Sequence, residues 1–127
     1  MDTCEPRKFD LEERLLNYAV MIIRLVDGIK RTPAGRHVGG QLLRSGTNPL
    51  SSHGEAQSAE SIRDFIPKFR IALKELRESW RWTKLIRLTG LHPDQELVAA
   101  ALDETDQLIR IFNSSIQTAS KRLAHSS

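Results

Sequence analysis

The side chains with the most chemistry to offer stand in one row. Arg63, Arg70, Arg77 and Lys84 recur every 7 residues, and Lys74 and Arg81 repeat with the same period between them. Seven residues are close to two helical turns, so all six cations share one flank if the segment is a helix. From Arg63 to Arg87 there are 8 basic and 3 acidic residues, a local charge of +5. Such a row can track a phosphate backbone, because neutralising phosphates releases their counterions. A quieter use is also open. Glu75 and Glu78 stand among these cations, Glu78 at i,i+4 from Lys74 and i,i+3 from Arg81, and long cationic side chains often line the flanks of bundles.

Groups that would signal catalysis are scattered. His37, His53, His92 and His125 have no ligand spacing among themselves, and no Glu-x-x-His pair exists to build a di-metal bundle site. His53 with Glu55 would at most share a metal at a helix end. Gly39-Gly40 follows no strand and matches no nucleotide-binding fingerprint. Ser45, Ser51 and Ser52 lack the spaced histidine and acid that activate a nucleophile. Neither a metal nor a cofactor is expected, nor a small-molecule substrate.

Those side chains must be positioned by helices. The chain has 127 residues, 39% hydrophobic and 28% charged, with a net charge of +3. That is one foldable domain whose overall charge is too small to imply nucleic acid by itself. The single cysteine, Cys4, excludes a disulfide framework and any cysteine-based zinc site. Asp2 and Glu5 occupy the place of a signal peptide's basic and apolar regions, and Leu15 to Ile23 is the longest early uncharged run. A cytoplasmic protein with no membrane span is expected.

Glycine and proline divide the chain into four helical segments, expected at about 10–31, 34–57, 61–89 and 94–123, with an irregular start over 1–9 and a tail over 124–127. Asp10 and Glu13 form an acidic capping box, and Leu11, Leu15, Tyr18, Ile22, Leu25 and Ile29 then step by 4 and 3. The second segment is the weakest. Gly39, Gly40 and Gly46 lower its propensity, and Pro49 predicts a kink there or an end near Asn48. Ile62, Ile66, Phe69, Leu73, Leu76 and Trp80 mark the core face of the third, and Val98, Leu102, Thr105, Ile109, Phe112 and Ile116 that of the fourth. No segment alternates like a strand. The fold class is all-α, an antiparallel up-down-up-down four-helix bundle.

Two surface features accompany this pattern. Ile71 and Trp82 project opposite Leu73 and Leu76, with Leu85 beside them, which predicts an oligomer interface on the third helix. The fourth helix opens with Asp94, Glu96, Asp103, Glu104 and Asp106 before its first base, Arg110. Its charge complements the third helix, either within one molecule or between copies.

The second and third helices carry a recognisable pattern. Gln41-Leu42-Leu43-Arg44-Ser45-Gly46-Thr47, Glu55-Ala56 and Asp64-Phe65-Ile66 are followed by Lys68, Ile71-Ala72, Lys74-Glu75, Arg77-Glu78, Trp82 and Leu85. On these residues the chain resembles the four-helix-bundle proteins related to 23S rRNA intervening-sequence (ribosomal-protein-like) proteins and to retroelement accessory variability proteins. The resemblance spans roughly residues 9 to 112. It implies a bacterial, homopentameric bundle without enzymatic activity, whose partners are other copies and, in one branch, structured RNA and a nucleic-acid-processing protein. Asn48-Pro49 and Ser52-His53 depart from the pattern at two apolar positions, and Arg81 replaces an aromatic residue before Trp82. Glu55 is expected to pair with Arg44 or a third-helix cation.

A second, shorter resemblance is to the all-helical HEPN nucleases, through Arg87 and His92 or, at a similar spacing, Arg31 and His37. Leu88 follows the arginine where that family has a polar residue, and Gly90 and Pro93 interrupt the pair. The leading expectation is a non-catalytic, ring-forming homo-oligomer that binds RNA through Arg63, Arg70, Lys74, Arg77, Arg81 and Lys84. Its rivals are an oligomeric scaffold for a protein partner and a ribonuclease.

Overall fold

A computed structural model describes residues 10–126. The irregular start expected over residues 1–9, with Cys4, lies outside the described residues. Four helices follow in order: α1 (Leu11–Asp27), α2 (Pro33–Gln57), α3 (Ile62–Thr89) and α4 (Gln95–Ser126). Each helix start has a capping acceptor. Asp10 accepts from the Glu13 amide at 3.0 Å, Thr32 from Gly35 at 3.0 Å, Ser61 from Asp64 at 3.2 Å and Asp94 from Leu97 at 3.1 Å. These side chains satisfy amides that have no intrahelical partner. Gly90 ends α3 at φ 67°, a left-handed conformation that strains any residue with a Cβ.

Consecutive helices are neighbours: α2 packs on α3, α3 on α4 and α1 on α2, with a lighter contact between α1 and α4 closing the bundle. Short connections between neighbours force the up-down-up-down order. The core runs along the shared axis through Leu15, Ile22, Leu25, Leu42, Phe69, Leu76, Ile86, Leu108 and Phe112. Phe69 joins two layers, with its ring 4.3 Å from that of Phe65 and 4.6 Å from that of Phe112.

The bounds differ from expectation at two ends. α1 stops at Asp27, because Gly28 and Ile29 turn back onto Leu25 and Val26, and α4 continues to Ser126, so residues 124–126 are helix. The kink expected at Pro49 does not become a break: α2 is continuous through it. An interior proline costs a helix about 3 kcal/mol in isolation. Here Pro49 and His53, which stand at the two apolar positions where the chain departs from the resembled pattern, are both buried, so they fill core positions. The glycines that weaken α2 as an isolated helix also have a packing role. A Cβ on Gly46 would stand 2.7 Å from the Ile22 side chain, so its absence lets α1 and α2 approach.

Candidate functional site

The helix α3 presents its expected cations to solvent. Arg63, Arg70, Lys74, Arg77 and Arg81 are exposed, while Lys84 is half-buried with Nζ 5.9 Å from the centroid of the Trp80 ring. That position gives a weak cation–π attraction. Trp80 itself is half-buried at the edge of the core and not within it. Arg63 and Arg70 border α4 at Ser120, around a surface hollow that also contains Pro67.

None of the six cations is in an ion pair among the described residues. Neither Glu75 nor Glu78 pairs with these cations, although Lys74 and Arg81 stand within helical reach of Glu78. The acids of α4 do not supply partners either, because most are engaged elsewhere. Glu104 receives Arg14 of α1 in a two-pronged bond, Nε to Oε2 at 2.8 Å and Nη2 to Oε1 at 2.9 Å. Asp106 pairs with Arg110 at 2.9 Å, Asp103 accepts from Gln107 at 2.8 Å, and Asp94 caps its own helix. Charge complementarity between α3 and α4 is therefore not expressed inside the molecule.

The family-pattern residues divide by role. Leu42, Ser45 and Ala56 are buried, Gln41 and Phe65 are half-buried, and Arg44, Glu55 and Asp64 are exposed. Arg44 donates to the Gln41 side chain, and Glu55 has no ion pair among the described residues, contrary to the expected pairing with Arg44 or an α3 cation. On the seam between α2 and α3, Glu75 accepts from Ser52 at 3.0 Å. Burial raises the Glu75 carboxyl above its ordinary value; the bonds from Ser52 and Asn48 oppose this, and the neighbouring charges of Glu78 and Glu55 add to it.

The predicted apolar face is present but uneven. Ile71 is 51% exposed and Leu85 39%, while Trp82 is half-buried, its ring edge-on to His37 of α2 with centroids 5.9 Å apart. Sequence reasoning missed a larger apolar surface. Leu16, Val20 and Ile23 on α1 are 50%, 39% and 44% exposed, and Leu43 on α2 is 40% exposed. Their spacing of 4 and 3 was available as a second stripe, but on an apolar helix it merges into the core stripe.

Reasoning from sequence also missed a buried polar chain. The Tyr18 hydroxyl lies 2.6 Å from Ser79 Oγ and 2.6 Å from Thr105 Oγ1. Thr105 donates to the Ala101 carbonyl at 2.6 Å. Because that uses the only hydroxyl proton of Thr105, Tyr18 donates to Thr105 and Ser79 donates to Tyr18. Burial raises the Tyr18 phenol above its ordinary value.

The histidines are structural or solvent-facing. His53 is buried beside Phe69; its Nε2 lies 3.3 Å from Gln57 Nε2, while its Nδ1 is 3.8 Å from Glu12 and has no hydrogen bond. Burial lowers its pKa, against the opposing pull of Glu12 and Asp10. His92 is also buried. Its Nδ1 accepts from the Asp94 amide at 2.9 Å, whereas Arg87 is exposed. The groups of the HEPN-like motif thus lie in different environments, one inside the α3–α4 connection and one in solvent; Arg31 and His37 are both exposed. Among the described residues no three His, Cys, Asp or Glu side chains gather as a metal site. No helix is long and apolar enough to cross a membrane.

With that geometry in hand, the chain is similar to a solved protein of unknown function from the S23 ribosomal protein family of Bacteroides thetaiotaomicron VPI-5482. The two are 29% identical with a TM-score of 0.77, over 84% of this chain and 98% of that one. The likeness fits the ribosomal-protein-like side of the sequence resemblance and does not bear on its retroelement side. No protein-family model matches the chain, and no curated protein does.

Proposed function

We propose that this protein is a cytoplasmic, non-catalytic homo-oligomer that binds structured RNA through phosphate, without reading sequence. The observation that carries the reading is the α3 row: six cations, five of them exposed, with no ion pair among the described residues. Salt bridges between exposed groups contribute little, so unpaired surface cations alone are ordinary. Their regular 7-residue period along one flank is what suits a polyanion. Base edges are read by side chains placed in a groove, whereas a row of cations on a convex helix contacts backbone. Repeating the row in each copy of an oligomer would add avidity to individually weak contacts.

The test is mass by light scattering, with and without a structured RNA, at two salt concentrations. The expected result is an oligomer that gains RNA mass at low salt and loses it at high salt. Arg70→Glu with Arg77→Glu should reduce the salt slope by about 2, near one unit per lost phosphate contact. An oligomer that ignores RNA at both salts would replace this reading with a scaffold for a protein partner. RNA cleavage abolished by His92→Ala would replace it with the nuclease.

A further inference from the structure

The exposed residues of α1 and α3 form matching patterns. Along α1, Leu16 is followed by Arg24 and Asp27; along α3, Ile71 is followed by Glu78 and Arg81. All six are exposed, with Leu16 at 50% and Ile71 at 51%, and none of the four charges is in an ion pair among the described residues. At 1.5 Å per residue, the apolar residue and first charge are separated by about 12 Å on α1 and about 10.5 Å on α3, and the two charges by about 4.5 Å on both. The order is apolar, positive, negative on one helix and apolar, negative, positive on the other.

In an up-down-up-down bundle α1 and α3 run in the same direction. Any second copy related by rotation about an axis along the bundle therefore brings its α3 parallel to the first copy's α1, in the sense that lets these patterns align. We propose that α1 of one copy docks in parallel on α3 of a second copy, with Leu16 on Ile71, Arg24 opposite Glu78 and Asp27 opposite Arg81. The inference rests on the homo-oligomer reading and names its contact. Val20 and Ile23 extend the apolar area on α1, which supplies the attraction, while the charges set the register. The contact joins two different faces, so each copy keeps one free face for the next copy. It also divides the α3 cations: Arg81 belongs to the interface, while Arg63 and Arg70, which border α4, stay available.

The experiment is a charge-reversal cycle on the full chain, read as the self-dissociation constant by sedimentation, with helicity by circular dichroism as the folding control. Arg24→Glu and Glu78→Arg should each weaken association about tenfold or more, since each sets like charges opposite each other. The two together should return it to near the wild-type value. Leu16→Glu, on a half-exposed position, should also weaken association while leaving helicity unchanged. If the wild-type chain is an oligomer and neither the reversals nor Leu16→Glu shift its dissociation constant, this pairing is wrong and the oligomer reading stands. A cycle in which the double variant is as weak as the singles also overturns the pairing. A wild-type chain that stays monomeric overturns the oligomer reading itself, and the pairing with it.

Discussion

The Tyr18–Ser79–Thr105 chain and the α3 cation row are both polar, yet they follow opposite rules. In the core each of the three hydroxyls takes part in a hydrogen bond, and the chain of donors ends on the Ala101 carbonyl. On the surface six cations stand without an ion pair among the described residues. A buried polar group without a partner costs about 1–3 kcal/mol, so folding itself favours the completeness of this chain, although His53 Nδ1 and His92 Nε2 are buried without a hydrogen bond. An exposed cation is solvated by water and obeys no such demand. Buried polarity is thus explained by stability, and the spacing of the exposed charges is where an account of function has to begin.

The two regions should respond differently to substitution, and the largest effect belongs to the core. Tyr18→Ala removes a side chain that is 1% exposed and should lower unfolding free energy by about 3–5 kcal/mol, measured by urea titration. Tyr18→Phe keeps the ring but leaves Ser79 without its acceptor. It should cost about 1–2 kcal/mol, with little further loss in a Tyr18→Phe, Ser79→Ala double variant. Additive losses would mean that the two hydroxyls do not act as one chain.

An intermediate effect is expected from acid. The folded state holds the His53 pKa below its ordinary value through burial, so the unfolded chain binds the proton more readily. The His53 contribution is complete above about pH 6.5 and is lost as pH falls toward the lowered folded value. Melting temperature should fall over that window, and His53→Leu should flatten the fall. Glu75 has the opposite sign. Its raised value means that the folded state takes up the proton first, so its ionisation weakens the fold as pH rises through the acid range. Glu75→Gln should remove that dependence, and an unchanged profile would count against a half-buried carboxylate at the α2–α3 seam.

The smallest effect on stability belongs to the cation row. Arg70→Glu with Arg77→Glu should move unfolding free energy by less than about 0.5 kcal/mol, even while changing any RNA affinity. A loss comparable to that of Tyr18→Phe would show that the row supports the fold, and would erase the contrast between the two regions.

Much of this was legible in the residues. The 4-3 spacing of apolar side chains located α1, α3 and α4 and most of the core, since amphipathic period follows from local geometry alone, while glycine and proline set off α2. The 7-residue row of cations was equally visible, for the same reason. Less visible were the Ser79 hydroxyl, a small polar residue that looks like surface until Tyr18 and Thr105 are brought to it, and the second stripe at Leu16, Val20 and Ile23. Trp80 was placed one step too far into the core, because over 28 residues the buried face drifts around the helix.

By itself the sequence determined the helix count, the cap at Asp10, and the faces on which charge and apolar residues lie, because each depends on neighbours within a few turns. Only the tertiary structure decided that Pro49 could sit inside an unbroken helix, that Gly46 serves the approach of Ile22, and that the acids of α4 turn to Arg14 and Arg110 and leave the α3 cations alone. Those outcomes depend on contacts between helices, where packing energy outweighs local propensity and where the choice among several available partners is settled by distance.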